Sequence, residues 1–111
     1  MIPARSARVA SLALLAAAAL ALTGCQYHSQ SCNNDVCTLT TNSQYEDEFS
    51  NGDRYGVQEI SPGESATVLA GPMGNEATAE LAEGESADLG GYTATVEAIE
   101  EDEVTVVFEP Q

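Results

Sequence analysis

The chain has 111 residues, with 18 Asp and Glu against three Lys and Arg, for a formal net charge of −15 at pH 7. The length allows one small domain. Nucleic-acid binding requires cationic side chains along the phosphates, and docking on anionic lipid requires a basic surface, so this composition excludes both.

The N-terminal segment has the pattern of a secretory signal. Arg5 and Arg8 precede residues 9–22, which are apolar except for Ser11. A membrane-spanning helix needs about 20 apolar residues, whereas the apolar region of a signal peptide has about 7–15 after a basic start. The same composition suits a buried core helix, but the arginines and the polar sequence beyond favour a signal helix within residues 1–24.

The apolar run ends in Leu22-Thr23-Gly24-Cys25, an aliphatic residue and two small residues before a cysteine. This motif resembles the lipobox of bacterial lipoproteins. The resemblance implies cleavage between Gly24 and Cys25 and a diacylglyceryl group on the Cys25 thiol, with fatty acyl chains such as palmitate. Two or more acyl chains give stable anchoring, here on the extracytoplasmic face of the cell membrane. The alternative is an ordinary secretory signal that happens to be followed by cysteine.

Lipidation of Cys25 leaves Cys32 and Cys37 as a pair. A disulfide is permitted outside the cytoplasmic membrane, and residues 33–36 contain turn formers that fold the chain back. A redox-active dithiol is the rival interpretation, but the spacing is C-x4-C rather than C-x-x-C, and no basic residue lies nearby to lower a thiol pKa. We therefore predict a structural Cys32–Cys37 disulfide.

Beyond Cys25 the sequence divides into a polar segment and a domain. We interpret residues 25–35 as the lipidated cysteine followed by a polar tether. From Val36 onward, short alternating runs separated by turn residues predict a single all-β domain over residues 36–111. Residues 42–53, with the acidic cluster Glu46-Asp47-Glu48, are expected to form a loop. The predicted strands are 36–40, 54–60, 65–70, 76–81, 92–99 and 104–108.

Two internal similarities accompany these strands. The sequences from Gly63 and from Gly84 both begin Gly-Glu-Ser-Ala. At an offset of 39 residues, the apolar positions Val57, Ile60, Val68 and Leu69 match Val96, Ile99, Val107 and Phe108. The pattern predicts two related hairpins in a small antiparallel sandwich or a partly open barrel, after the N-terminal signal helix.

Three features occur together between Cys32 and the last residue. They are a Cys-x4-Cys opening onto a Thr-rich strand, a Gly-Glu-Ser-Ala step, and a closing hairpin with Tyr-Thr-Ala-Thr-Val and Glu-Val-Thr-Val-Val-Phe. In these features the chain resembles small uncharacterised β-domain exoproteins and lipoproteins of actinobacteria. The resemblance implies a small β domain and transfers no catalytic residue.

The sequence contains no arrangement typical of an enzyme. His28 lies in the expected tether, where it lacks the rigid support that a catalytic triad needs. Neither Gly-Glu-Ser-Ala copy completes a G-x-S-x-G elbow, because Thr67 and Asp88 occupy the final position. Paired carboxylates as in glycoside hydrolysis need a desolvated cleft, for which the domain looks too small. We therefore expect a non-catalytic protein without a cofactor.

One acidic cluster leaves a cation site open. Glu100, Glu101, Asp102 and Glu103 lie at the tip of the last predicted hairpin. Hard oxygen ligands bind Ca²⁺, and a cation would relieve the repulsion between these carboxylates. However, the D-x-D-x-D-G spacing is absent and charge at a hairpin tip is normally solvated, so a solvated turn is the favoured interpretation.

Two functions remain after these exclusions. The first is a membrane-anchored, acidic, non-catalytic interaction module that holds a cationic or protein partner in the cell envelope. The alternative is a structural or Ca²⁺-binding envelope component with no specific protein partner, in which the charge itself is the function.

Overall fold

A computed structural model of the chain describes residues 26–111, and every regular element within that range is a β-strand. The signal helix, the lipobox and Cys25 lie outside the described residues. The strands are β1 (His28–Asn33), β2 (Val36–Thr41), β3 (Tyr45–Glu48), β4 (Arg54–Ser61), β5 (Ser65–Gly71), β6 (Ala77–Leu81), β7 (Ser86–Leu89), β8 (Tyr92–Glu100) and β9 (Glu103–Pro110).

The strands form two antiparallel sheets that pack as a sandwich. The five-stranded sheet has the order β1-β2-β9-β8-β7, and the four-stranded sheet has the order β3-β4-β5-β6. The prediction of an all-β antiparallel domain is confirmed, and the sandwich is the form that it takes. Within the described residues, β1 and β2 belong to the five-stranded sheet, β3 to β6 form the four-stranded sheet, and β7 to β9 complete the five-stranded sheet.

Side-chain alternation places the apolar residues between the sheets. On β9, Val104, Val106 and Phe108 are fully buried, whereas the residues between them face outward. Tyr55 of the four-stranded sheet meets Phe108 with ring centroids 5.2 Å apart, and Phe49 stacks on Tyr92 at 4.2 Å. Burial of each such large side chain stabilises the fold by about 1.5–3 kcal/mol.

Two hairpins of matching geometry occupy the centres of the sheets. In β4–β5, Val57 pairs with Val68 and a bulge follows; in β8–β9, Val96 pairs with Val106 and a bulge follows. The predicted offset of 39 therefore holds for β4 and β8. It is wrong by one residue for β5 and β9, since Val106 rather than Val107 is the counterpart of Val68. The reason is that the loop of β8–β9 is one residue shorter than that of β4–β5.

The predicted tether is wrong for residues 28–33, because they form β1 and pair with β2 along its whole length. All six residues of β1 are exposed. Because the strand contributes no buried apolar side chain, the sequence shows no alternation of apolar and polar residues there. It is held by backbone hydrogen bonds to β2, which would otherwise be an open edge. The folded unit therefore includes residues upstream of Val36, where the domain was expected to begin.

The acidic segment Glu46-Asp47-Glu48 also differs from the prediction, since it belongs to β3 and not to a loop. Arg54 of β4 lies opposite Glu48 and forms an ion pair with Glu46 at 2.9 Å. This cation reduces the repulsion that three successive carboxylates would otherwise exert along the edge of the sheet.

The predicted disulfide is present between Cys32 and Cys37. The two cysteines are directly opposite one another in the β1–β2 ladder. Cys37 is buried in the core, whereas Cys32 belongs to the exposed strand. The disulfide thus fastens an edge strand with no buried apolar side chain of its own to the core.

Replacement of this disulfide in the double variant Cys32→Ser/Cys37→Ala tests its structural role. Because the bond closes a short loop, with a sequence separation of 5, the chain-entropy estimate predicts a loss of about 2 kcal/mol of unfolding free energy. Hydrogen exchange should accelerate at the β1 amides while β8 and β9 stay protected. Unchanged protection of β1 would show that backbone pairing alone holds the strand.

Gly56 is required by the close approach of β3 to β4. A Cβ added at Gly56 would meet the Tyr45 carbonyl oxygen and lie 2.7 Å from the Cα of Glu46, both of them backbone atoms. We expect Gly56→Ala to lower the unfolding free energy by about 3 kcal/mol, because β3 must shift. In the control Gly63→Ala the added Cβ has no atom within 4 Å. The φ of residue 63 is +71°, however, so this substitution adds backbone strain of about 1–2 kcal/mol. Chemical denaturation of both variants measures the difference, and an unchanged Gly56→Ala would contradict the packing described.

Candidate interaction surface

The outward side of the five-stranded sheet is lined with hydroxyl groups. One ladder row crosses all five strands through Ser31, Thr38, Val107, Thr95 and Ser86. The neighbouring row contains Ser29, Thr40 and Thr105. We call this surface the hydroxyl face; it consists of Ser29, Ser31, Thr38, Thr40, Ser86, Thr93, Thr95, Thr105 and Val107, all exposed or half-buried.

Neighbouring hydroxyl groups on this face hold one another in place. Thr40 and Thr105 hydroxyl oxygens lie 3.1 Å apart across the β2–β9 pair, and Ser86 and Thr95 hydroxyl oxygens lie 2.7 Å apart across β7–β8. The χ1 angles of threonine are already restricted by branching at Cβ. The hydrogen-bonding groups are therefore ordered before any partner arrives, which lowers the entropic cost of binding.

Charge surrounds the row through Val107 on the hydroxyl face and is absent from that row. Glu103 and Glu109 lie near the two ends of β9, and Asp88 lies on the edge strand β7, where its carboxylate is 3.3 Å from the Thr93 hydroxyl. The row through Val107 contains no ionisable side chain. The neighbouring row ends at the β8 bulge, where the exposed Glu97 lies beside Ala98, opposite Thr105. Since the centres of protein interfaces are depleted of charge, this distribution is typical of a contact surface with a polar rim.

The opposite outer face, on the four-stranded sheet, is charged. Arg54 is the only Lys or Arg among residues 26–111. Its guanidinium lies 2.9 Å from Glu46, 4.0 Å from Glu48 and 3.8 Å from Glu76. These half-exposed ion pairs each contribute at most about 1 kcal/mol. Their effect is to tie β3 and the residue before β6 to the central strand β4.

Edge strand β1 extends the neutral surface to the border of its sheet. Edge strands normally carry charged residues that prevent pairing with another chain. In this sandwich β3 carries Glu46, β6 carries Glu80 and β7 carries Asp88, whereas the sequence of β1, His-Ser-Gln-Ser-Cys-Asn, contains no acid. The outer edge of β1 thus offers backbone groups beside the hydroxyl face without a carboxylate in between.

The inward side of β1 packs against the four-stranded sheet through polar contacts. The ring of His28 stacks on Tyr45 with centroids 3.8 Å apart. The Tyr55 hydroxyl donates a hydrogen bond to Gln30 Oε1 and lies 3.6 Å from Cys32 Sγ. His28 was expected in a flexible tether, and that prediction is wrong, because the residue is part of a paired strand.

Three ionisable groups in this contact have shifted pKa values, and burial first, then the hydrogen bond to Asp47, raise the pKa of Tyr45. Burial would raise the pKa of Asp47, but hydrogen bonds from the Glu48 amide, the Tyr45 hydroxyl and the Gln30 side chain, with the nearby His28, lower it overall. The Tyr45 hydroxyl donates to Asp47 Oδ2 at 2.9 Å. Burial first, and then the negative charge of Asp47, raise the pKa of Tyr55 to about 12.

The Tyr55 shift predicts a loss of stability at alkaline pH. The unfolded chain releases this proton near pH 10, whereas the folded chain keeps it to about pH 12. The contribution is therefore complete below pH 10 and is lost as the pH rises to 12, which amounts to up to about 3 kcal/mol. Denaturant unfolding across this range should show a smaller decline in Tyr55→Phe than in the wild type. An equal decline in both proteins would contradict the assignment.

The acidic cluster predicted as a turn lies at the β8–β9 loop, with Glu101 and Asp102 in the turn itself. The backbone of Glu101 adopts a φ of 56°, and its carbonyl oxygen accepts a hydrogen bond from the Gly63 amide at 2.9 Å. Within residues 26–111, no group of three or more His, Cys, Asp or Glu side chains is arranged to hold a metal ion. The described residues therefore show no set of donor side chains for the Ca²⁺ site considered at Glu100–Glu103.

The sequence predicts some of these features and not others. Of the predicted site residues, Cys32 and Cys37 come together as expected, while Gly24 and Cys25 lie outside the described residues. The hydroxyl face was missed. Its signal was present as hydroxyl residues at alternating positions, as in Thr38-Leu39-Thr40 and Thr93-Ala94-Thr95.

Comparisons of the chain with protein-family models, curated proteins and solved structures find no match. Among residues 26–111 no helix has the length and apolar character needed to cross a membrane. Over the same residues no pocket is detected.

Proposed function

We propose that this protein is a lipid-anchored, non-catalytic interaction module of the bacterial cell envelope, and that its hydroxyl face binds a protein partner. The anchor is supported by the Leu22-Thr23-Gly24-Cys25 motif after an apolar run. After cleavage before Cys25, all 18 acids remain with Arg54 as the one basic residue, and the formal charge becomes −17.

The observation that carries the proposal is that the central row of the hydroxyl face, which runs through Val107 across all five strands, is uncharged on so acidic a chain. A partner bound there would remove water from the hydroxyl groups and leave the carboxylates hydrated. Each hydroxyl group can form a new hydrogen bond to the partner, as a donor or as an acceptor. A carboxylate under the centre of the contact would instead require a buried counter-charge. The sequence thus places its charge where it does not obstruct binding.

The margin of the face indicates the chemistry of the partner. A centre of Ser, Thr and Val107 is surrounded by four carboxylates, those of Asp88, Glu97, Glu103 and Glu109. Charge complementarity across an interface raises the association rate and fixes the orientation. The matching surface is a protein with an uncharged polar centre and lysine or arginine at its rim, which refines the expectation of a cationic or protein partner.

Paired charge substitutions test this function. In the cells that express the protein, Thr38→Glu/Thr95→Glu places two carboxylates on either side of Val107 in the central row. We expect crosslinking from intact cells to lose the bound partner in this variant. The matched control is Thr78→Glu, which makes the same chemical change on the exposed outer face of β6.

The controls separate the two parts of the proposal. A partner that is recovered with wild type and Thr78→Glu, and lost with the paired variant, supports the hydroxyl face. Equal recovery from all three proteins contradicts it. The variant Cys25→Ser removes the proposed lipid site, and release of that variant from the membrane fraction supports the anchor independently of any partner.

A further inference from the structure

We infer that one defined end of the sandwich faces the membrane at close range. This end, called the anchored end, consists of Tyr27, the β4–β5 turn at residues 62–64 and the β8–β9 turn at residues 101–102. The inference rests on the proposed lipid anchor at Cys25, and it adds the orientation of the domain and the lipid surface that this orientation suits.

The distance between the anchor and the fold is short, because Tyr27 is already fixed. The Tyr27 amide donates to Asn42 Oδ1 at 2.7 Å, and its carbonyl oxygen accepts from the Asn42 amide at 3.1 Å and from Thr41 Oγ1 at 3.2 Å. Thr41 is fully buried. Only Gln26 separates Tyr27 from Cys25, and two Cα–Cα steps span at most about 8 Å. The expected tether of residues 25–35 would have allowed the domain to float, whereas this connection does not.

The strand register shows which turns share this end. His28 pairs with Thr41, Thr41 pairs with Val104, and Val104 pairs with Ile99, so the β8–β9 turn lies beside the start of β1. The hydrogen bond from the Gly63 amide to the Glu101 carbonyl joins the β4–β5 turn to it. Both sheets therefore contribute a turn to the anchored end.

The opposite end lies about one strand length away. β1 has 6 residues, which correspond to about 20 Å at 3.3 Å per residue. Met73, in the loop that follows β5, lies at that far end and is 58% exposed. A side chain at Met73 and one at Glu64 in the β4–β5 turn thus mark the two ends.

The anchored end is strongly acidic. It carries Glu64, Glu101 and Asp102, and Glu100 and Glu103 lie directly beside it at the ends of β8 and β9. The Glu83 carboxylate lies close to them, because it accepts a hydrogen bond from the Ile99 amide at 3.0 Å. The connection between Cys25 and Tyr27 spans at most about 8 Å, which is shorter than the Debye length of about 10 Å in 0.1 M salt. Salt therefore does not screen these carboxylates fully from an anionic leaflet, which repels them.

Two consequences follow for the anchored protein. The domain suits a zwitterionic or neutral lipid surface, on which the anchored end can approach the headgroups with the half-exposed Tyr27 ring at the interface. On anionic lipid the same end is pushed outward to the limit of its connection. In either case the strands run away from the membrane, so the hydroxyl face is open sideways to a partner in the envelope.

Fluorescence quenching measures this orientation directly. The lipoprotein is purified from membranes of the expressing cells and reconstituted in zwitterionic vesicles that carry nitroxide on the lipid headgroups. Glu64→Cys or Met73→Cys supplies a single thiol for a fluorophore, because Cys32 and Cys37 are bonded and Cys25 is acylated. We expect the label at residue 64 to be quenched several-fold more than the label at residue 73.

The outcomes distinguish the orientation from the anchor. Equal or reversed quenching of the two labels on acylated protein overturns the orientation and leaves the lipid anchor in place. Protein that lacks the acyl group, as determined by intact mass, overturns both.

A second arm tests the charge. Addition of anionic lipid should reduce quenching at residue 64, and this reduction should be smaller in Glu100→Gln/Glu101→Gln/Asp102→Asn/Glu103→Gln. Quenching that does not respond to anionic lipid in the otherwise unchanged protein overturns the electrostatic part of the inference.

Discussion

The pairing of β2 with β9 closes the core and sets the positions of the outer surfaces. It joins a strand near the start of the domain to the last strand, with Leu39 opposite Val106 and Cys37 opposite Phe108, so the core is closed by residues far apart in sequence. It gives β1 a paired neighbour and makes the hydroxyl face continuous from β1 to β7. It also places the acidic β8–β9 turn beside Tyr27, and thereby determines which end of the domain lies next to the proposed anchor.

The positions of the charged residues say more about the binding surface of this protein than their number does. The 18 acids outnumber the basic residues sixfold, and such a surface keeps a protein soluble without specifying a ligand. Strand alternation keeps carboxylates out of the core, and on one outer face they are also absent from the row through Val107. That row crosses five strands, whereas the other outer face is bound together by Arg54 and its three carboxylate partners. The two outer surfaces therefore differ in chemistry although the hairpins at their centres match.

The alternation of apolar and polar residues predicts most of the strands. The six predicted strands all exist, and their observed bounds differ from the predicted ones by no more than two residues. Strands β1, β3 and β7 were missed. Polar residues occupy both sides of β1 and β3, whose position depends on a neighbouring strand, and β7 has four residues of which only Leu89 is buried. The Cys32–Cys37 pair was predictable from cysteine number and turn residues between them. The hydroxyl face was not, because it requires Thr38 to be placed beside Val107, a pairing over 69 positions that no local pattern contains.

A lipid on Cys25, two positions before Tyr27, holds the disulfide-fastened sandwich at the membrane in this proposal, and the mass of the intact protein extracted from the membrane fraction of its own cells decides whether it does. We expect a chain that begins at Cys25, carries the mass of a diacylglyceryl group or more, and has no free thiol. A chain that starts elsewhere, or one that starts at Cys25 without acyl groups, would overturn the anchor.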